Sequence, residues 1–175
     1  MFRGSGQHGF TLVEVLIALA LFALLMAAMG TAVHGALDSH AENTDLASAT
    51  QGARVALQRI CHDIRTAASV DPYAGTGTLR LVPPEDVDAI QIDYVHDANE
   101  QQLLYCVTDG AGQTDHVLLG GDDGIDVTAF VVDHEIADDG EETYIRSTTF
   151  ALTFEVDGES LTVTASAAPR RNQTY

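Results

Sequence analysis

The most strongly patterned part of the chain is an apolar segment near its N-terminus. Residues 10–31 read FTLVEVLIALALFALLMAAMGT, and Glu14 is their only charged side chain. As an α-helix, a segment of this length extends about 33 Å, which is enough to cross the hydrocarbon core of a bilayer. The pattern therefore predicts a membrane-spanning helix.

The charges that flank this segment predict its orientation. Arg3 lies before it, and no basic side chain follows it until Arg54. Because basic residues stay on the cytoplasmic side, we expect the N-terminus in the cytoplasm and the C-terminal part across the membrane. A secretory signal places its cleavage site after the apolar run, whereas here a polar leader precedes the run and ends at Gly9. A cleavable piece would therefore be residues 1–9.

A second helical pattern follows the apolar segment. Before Pro72 the chain contains no proline, so the helix has no obvious stop. Apolar side chains then recur at i, i+3, i+4, i+7 and i+11, with polar side chains on the other face. These positions are Leu57, Ile60, Cys61, Ile64 and Ala68. The pattern predicts one helix from about Phe10 to Ala68.

Beyond Pro72 the period changes to two, which is typical of strands. Ile90, Ile92 and Tyr94 alternate with polar residues, and three further short runs follow. The clearest hairpin comes last, where two alternating runs, 150–156 and 161–167, flank Asp157-Gly158, a two-residue turn sequence. The sequence therefore predicts an α+β fold in which the aqueous end of a long helix packs on an antiparallel sheet.

Composition makes this aqueous part strongly acidic. The chain has 26 acidic and 8 basic residues, all of the basic ones arginine, and its formal charge is −18. Such a surface repels phosphate backbones, so we expect no nucleic-acid partner. Two acidic loops, 120–126 and 138–142, offer carboxylates to Ca²⁺, although neither has EF-hand spacing and solvated turns are the alternative.

Few residues have the spacing of a catalytic or metal site. Cys61, His62 and Asp63 are adjacent, but neighbouring helix positions point about 100° apart and do not form a nucleophile–base relay. No histidine pair has zinc-ligand spacing, and no glycine-rich phosphate loop occurs. We therefore expect no enzyme activity, no catalytic residue, no bound metal and no cofactor.

The two cysteines allow two interpretations. Cys61 lies on the predicted helix and Cys106 in a predicted strand, both in the compartment outside the cytoplasm. A disulfide between them is one alternative, because that compartment permits oxidation. Two separate thiols that pack as small apolar side chains are the other.

The residues around Gly9 carry a family resemblance. The string GFTLVEVLIAL, with glycine before phenylalanine and a glutamate at Glu14, resembles the processing motif of type IV prepilins and pseudopilins. The resemblance implies that a membrane peptidase cleaves between Gly9 and Phe10 and methylates the new amine of Phe10. The mature chain would then have 175 − 9 = 166 residues.

Glu14 is a functional candidate on physical grounds as well, because a carboxylate within hydrocarbon is costly unless it is paired or neutralised. The resemblance implies that its partner is the N-terminal amine of a neighbouring subunit's Phe10, so that Glu14 serves subunit assembly. The alternative is a side chain that only snorkels towards the cytoplasmic headgroups.

The resemblance also implies a pilin-like organisation, location and set of partners. Residues 1–9 are a cleaved leader, 10–31 the transmembrane and filament-core helix, 32–70 its continuation and 71–175 the antiparallel sheet domain. We expect the chain to be a single-pass protein of the inner membrane that is later incorporated into a filament. Its expected partners are other pilins or pseudopilins, the prepilin peptidase, the inner-membrane assembly platform and membrane lipid.

The end of the predicted helix indicates which kind of subunit this is. Residues 53–70 read ARVALQRICHDIRTAASV and contain Asp63-Ile64-Arg65-Thr66-Ala67. This D-I-R-x-A pattern resembles J-type minor pseudopilins and W-type minor pilins. The implied function is a minor pseudopilin of a type II secretion system, and the alternative is a minor pilin of a type IV pilus.

Overall fold

The computed structural model describes residues 10–85, 87–121, 124–138 and 143–170. One long helix, α1, covers Leu12–Thr66 without interruption. The sequence predicted a helix from Phe10 to Ala68, so the helix begins and ends two residues inside those bounds. The chain divides into two compact units between Thr44 and Asp45, and each is described by itself.

The N-terminal unit contains the first part of α1. Its described residues are exposed throughout, including large apolar side chains such as Leu16, Phe22 and Met29. α1 is long and apolar enough to cross a membrane, and its most apolar stretch is not buried within the protein. The sequence accounts for this exposure, because these side chains are solvated by lipid in a membrane-spanning helix.

The C-terminal unit combines the rest of α1 with two antiparallel sheets. Among the described residues, the first sheet has five strands in sequential order, and the second has three. The strands of the first are β1 Ser69–Asp71, β2 Thr78–Val82, β3 Gln91–Asp97, β4 Gln102–Asp109 and β5 Gly112–Gly120. Those of the second are β6 Ile125–Asp138, β7 Thr143–Val156 and β8 Glu159–Ala167. The α+β fold predicted from the sequence is confirmed, with two sheets in place of the single one expected.

Two glycines allow the chain to turn at defined points. Asp157 and Gly158 both have positive φ, 52° and 84°, as the two-residue turn between β7 and β8 requires. Gly120 ends β5 with φ 91°, and a Cβ there would lie 2.5 Å from the carbonyl oxygen of Gln101. A side chain at position 120 would therefore collide with backbone where the chain leaves the first sheet.

The core lies between α1 and the sheets. From α1 it takes Ala49, Ala53, Ala56, Leu57, Ile60 and Ile64, and these meet large sheet side chains such as Tyr94, Phe150 and Phe154. Leu57, Ile60 and Ile64 were predicted at this face. Ala68 was predicted there too, but it lies beyond the end of α1 and is exposed.

Candidate functional site

The first turn of α1 is capped by Thr11. Its Oγ1 accepts a hydrogen bond from the backbone N–H of Glu14 at 3.3 Å, which satisfies a donor that has no partner within the helix. A threonine followed three residues later by a glutamate has the spacing of a capping box. This role of Thr11 was not predicted, although the Thr11-x-x-Glu14 spacing is its signal in the sequence.

Glu14 lies on an exposed apolar face near the start of α1. Phe10, Glu14, Ala18 and Phe22 follow one another at i+4 spacing, and with Val15 and Leu19 they line a shallow groove of about 480 Å³. Phe10 is 82% exposed, and Glu14 is exposed as well. Among the described residues, the Glu14 carboxylate has no hydrogen-bond or ion-pair partner. The face therefore presents one free anionic acceptor within an apolar surface.

This part of the chain also matches a known family. Residues 4–30 match the family described as the prokaryotic N-terminal methylation motif. The chain carries the methylation motif of type IV prepilins and pseudopilins. The match includes Phe10 and Glu14, and also Gly9, which lies outside the described residues. Comparison with curated proteins and with solved structures found no match.

The motif and the fold both bear on the kind of protein this is. They support a type IV pilin- or pseudopilin-like protein, and the N-terminal apolar helix, the one such helix among the described residues, fits an inner-membrane anchor. Members of this family are in general structural proteins. The prepilin motif indicates processing by a prepilin peptidase and assembly with other pilins.

Within the C-terminal unit, a polar contact links α1 to the first sheet. The fully buried Tyr94 on β3 donates its hydroxyl to Oδ2 of Asp63 at 2.6 Å. Burial, then this hydrogen bond and the charge of Asp63, raise the pKa of the Tyr94 phenol well above its usual value. The phenol therefore stays neutral in the folded state. Because its pKa is higher in the folded than in the unfolded chain, the neutral phenol stabilises the fold fully below about pH 10, and this stabilisation is lost as the pH rises further.

We expect Tyr94→Phe to lower the free energy of unfolding by about 1–3 kcal/mol, because the half-buried Asp63 loses its hydrogen-bond donor while the ring remains packed. Proteolysis of the detergent-solubilised full chain across a urea series measures this change. Tyr73→Phe is the matched control, since Tyr73 is 82% exposed and its change should be within about 0.5 kcal/mol. Equal shifts in the two variants would contradict the role assigned to the Tyr94 contact.

The second link between α1 and the first sheet is a row of one guanidinium and three rings in contact. The Arg59 guanidinium lies 3.8 Å from the centre of the Tyr105 ring, which is a cation–π contact. Tyr105 in turn packs against Tyr94 and His116, with ring centres 5.4 and 6.2 Å apart. These residues hold the helix in register with the sheet, and sequence spacing gave no signal that they meet.

The structure does not bring the two cysteines together. Both are free thiols. Cys61 Sγ lies 3.9 Å from the carbonyl oxygen of Ser166 in β8, in the second sheet. Cys106 follows Tyr105 along β4, and because strand side chains alternate, it faces away from α1. The disulfide considered for Cys61 and Cys106 is therefore not formed in the structure.

Cys106 is buried and lies in a cross-strand row with two acidic residues of the first sheet. Its cross-strand neighbours are Asp93 on β3 and Asp115 on β5. Asp93 forms a salt bridge with Arg80, whose Nε lies 3.0 Å from Oδ1 of Asp93. Burial, followed by a hydrogen bond to Asp115 and the nearby negative charges, raises the pKa of Cys106 to about 12. The thiol is therefore protonated and a poor nucleophile at neutral pH.

Cys61, His62 and Asp63 have three different surroundings. Cys61 faces β8, His62 is exposed, and Asp63 accepts the Tyr94 hydrogen bond. Within the described parts of the chain, no group of three or more His, Cys, Asp or Glu residues is placed to hold a metal ion. The calcium hypothesis rests chiefly on residues 122–123 and 139–142, which lie outside those described.

Proposed function

We propose that this chain is a minor pseudopilin, a structural subunit of a type II secretion pseudopilus that helps to initiate or cap the filament. The observation that carries the proposal is the unpartnered Glu14 carboxylate on the exposed apolar face of α1, within the methylation motif. A carboxylate held at membrane depth is costly unless a partner neutralises it. An N-terminal amine of a neighbouring subunit is a partner of the required charge.

The proposed processing follows from the same segment. The prepilin peptidase cleaves between Gly9 and Phe10, and the new amine of Phe10 is methylated. The mature chain then consists of the core helix 10–31, its continuation 32–70 and the sheet domain 71–175. Its N-terminus lies at the cytoplasmic side of the inner membrane, where lipid, the assembly platform and other pseudopilins are its partners.

The sequence at the end of α1 supports the minor subtype. The D-I-R-x-A pattern at residues 63–67 lies at the end of α1, where Asp63 bonds to Tyr94 and Ile64 is buried in the core. The retained Glu14 fits a subunit that stacks beneath a neighbour. The same pattern is found in W-type minor pilins, which makes a type IV pilus subunit the second candidate.

Deletion of the gene distinguishes the two candidates. For a minor pseudopilin we expect secretion of exoproteins to fall at least about tenfold while surface pili remain, because the filament no longer starts efficiently. The measurements are exoprotein activity in the culture medium and the quantity of sheared pili, each compared with a strain complemented by the full chain. Loss of pili with normal secretion would support the pilus subunit, and no change in either would contradict both.

A further inference from the structure

An apolar groove lies where the last turns of α1 meet the loop between β2 and β3. We call it the loop groove, and its volume is about 300 Å³. Its apolar lining consists of Leu81, Pro83, Pro84, Val87 and Ile92. Val87 is 47% exposed, so part of this lining is open to solvent in the described part of the chain. A groove of this size is at the lower limit for a small-molecule site and is suited to one large side chain.

A second groove leads from the loop groove towards the end of the second sheet. The two grooves share Thr66, Ala67 and Pro84, so they are contiguous. The second one has a volume of about 230 Å³ and is also lined by Arg170. β8 ends at Ala167, which is buried in the core, and the chain reaches this groove three residues later. Arg170 therefore lies at one end of a path to the loop groove.

The residues that follow Arg170 are long enough to occupy this path. Residues 171–175 read RNQTY and lie outside the described residues. Five residues of extended chain span about 16 Å. Arg59 and Thr66, which both line the loop groove, are seven positions apart, which corresponds to about 10 Å of helix. Tyr175 is therefore within reach of the whole loop groove.

Charge favours segment 171–175 as the occupant of the loop groove. Arg171 is the only charged side chain of the segment. The loop between β2 and β3 reads PPEDVDAI over residues 83–90, with three acids and no basic side chain. Of these acids, Glu85 and Asp88 are exposed, and neither forms a salt bridge within the described residues. A segment with one positive charge is attracted to this loop, whereas an acidic occupant would be repelled.

We propose that segment 171–175 lies along the end of α1 and places the Tyr175 ring in the loop groove of the same chain. Tyrosine buries an apolar ring and keeps its hydroxyl at a polar partner or in water. The groove offers both surroundings, because Pro84 and Val87 are apolar whereas Arg59 and His62 are exposed polar side chains of α1. The ring would cover the apolar lining that the described residues leave open.

Segment 171–175 then connects two parts of the aqueous unit. The chain leaves the second sheet at the end of β8, and the loop groove includes the β2–β3 loop of the first sheet. A docked segment therefore holds the end of α1 and both sheets together at one point. The inference goes beyond the proposed function, because it concerns a contact within one chain and holds for a pilus or a secretion filament alike.

The test uses the full chain in detergent, with a photo-crosslinking amino acid in place of Tyr175. Unlabelled and isotope-labelled chains are mixed before irradiation, so that mass spectrometry distinguishes a link within one chain from a link between two. We expect a link within one chain, to residues 81–92 or 59–67. The same amino acid at Val131, an exposed position on β6 that lines neither groove, should give no link to these residues. A link from position 175 to a second copy or to another segment, or no link at all, would overturn the proposal.

Substitutions test whether the groove and the charge of Arg171 hold the segment in place. Val87→Asp puts a carboxylate into the apolar lining and should lower the yield of the link about fivefold. Val131→Asp makes the same change at an exposed position of β6 and should leave the yield unchanged. Arg171→Glu reverses the charge that faces the acidic loop and should also lower the yield, while every described residue stays the same. A yield that neither Val87→Asp nor Arg171→Glu changes would contradict docking in the groove.

Discussion

Gly9→Val is expected to leave residues 1–9 attached to essentially all of the chain, whereas we expect the wild type to lose them. The reason is steric: glycine has no Cβ and lets another backbone or an enzyme approach closely, whereas valine adds a branched side chain at the bond to be cut. Intact-mass spectrometry of the membrane-extracted protein measures the result. The wild type should be a chain of 166 residues that begins with methylated Phe10.

Gly6→Val is the matched control for this experiment. It makes the same change three residues earlier in the leader. We expect its leader to be removed normally, because position 6 does not border the bond between Gly9 and Phe10. Normal removal of residues 1–9 from Gly9→Val would contradict the proposed cleavage site. Equal loss of processing in both variants would show that the peptidase recognises the whole leader and not Gly9 in particular.

The parts of the fold that periodicity predicted are those in which one face is strongly apolar. Leu57, Ile60 and Ile64 identified the buried face of α1, and the turn at Asp157-Gly158 identified the β7–β8 hairpin. The buried face also begins earlier, at Ala49 and Ala53. Alanine is a weak apolar signal, because it is equally common on exposed helix faces, so the sequence did not reveal this extension.

The division into two sheets was not predictable from alternation. A period of two indicates that a segment is a strand but not which segments pair, and the break falls at Gly120, whose φ of 91° turns the chain out of the first sheet. The contact between Asp63 and Tyr94 was missed for a similar reason. These residues are 31 positions apart, and only the packing of α1 on β3 brings them to 2.6 Å.

The candidate site was more accessible to sequence reasoning, because its residues are close together in the chain. Glu14 stood out as a lone charge in an apolar run, and the structure places it on an exposed face with Phe10. The capping role of Thr11 was not predicted, because a threonine three residues before a glutamate is a weak signal unless the start of the helix is known. Thr11 accepts a hydrogen bond from the Glu14 N–H and so stabilises the first turn of α1. A test of assembly must therefore distinguish loss of this cap from loss of the Glu14 carboxylate.

Glu14→Ala is expected to separate processing from assembly. The variant should insert, lose residues 1–9 and fold outside the membrane as the wild type does, because alanine is more easily held in hydrocarbon than a carboxylate, by about 2–3 kcal/mol at the centre of a bilayer. It should nevertheless be depleted from filaments at least about tenfold, because the proposed contact with a neighbouring subunit's amine loses its carboxylate. Fractionation of cells into inner membrane and sheared or cross-linked filaments measures the ratio.

Two matched variants separate the alternatives for Glu14. Glu42→Ala removes an exposed carboxylate from the same helix outside the apolar segment and should enter filaments normally. Thr11→Ala removes the cap hydrogen bond but keeps the Glu14 carboxylate, so it should also assemble. If Thr11→Ala fails as Glu14→Ala does, the helix cap and not the charge is what assembly needs. If Glu14→Ala enters filaments as well as the wild type, the carboxylate only snorkels to the headgroups, since a docking contact in hydrocarbon cannot be lost without consequence.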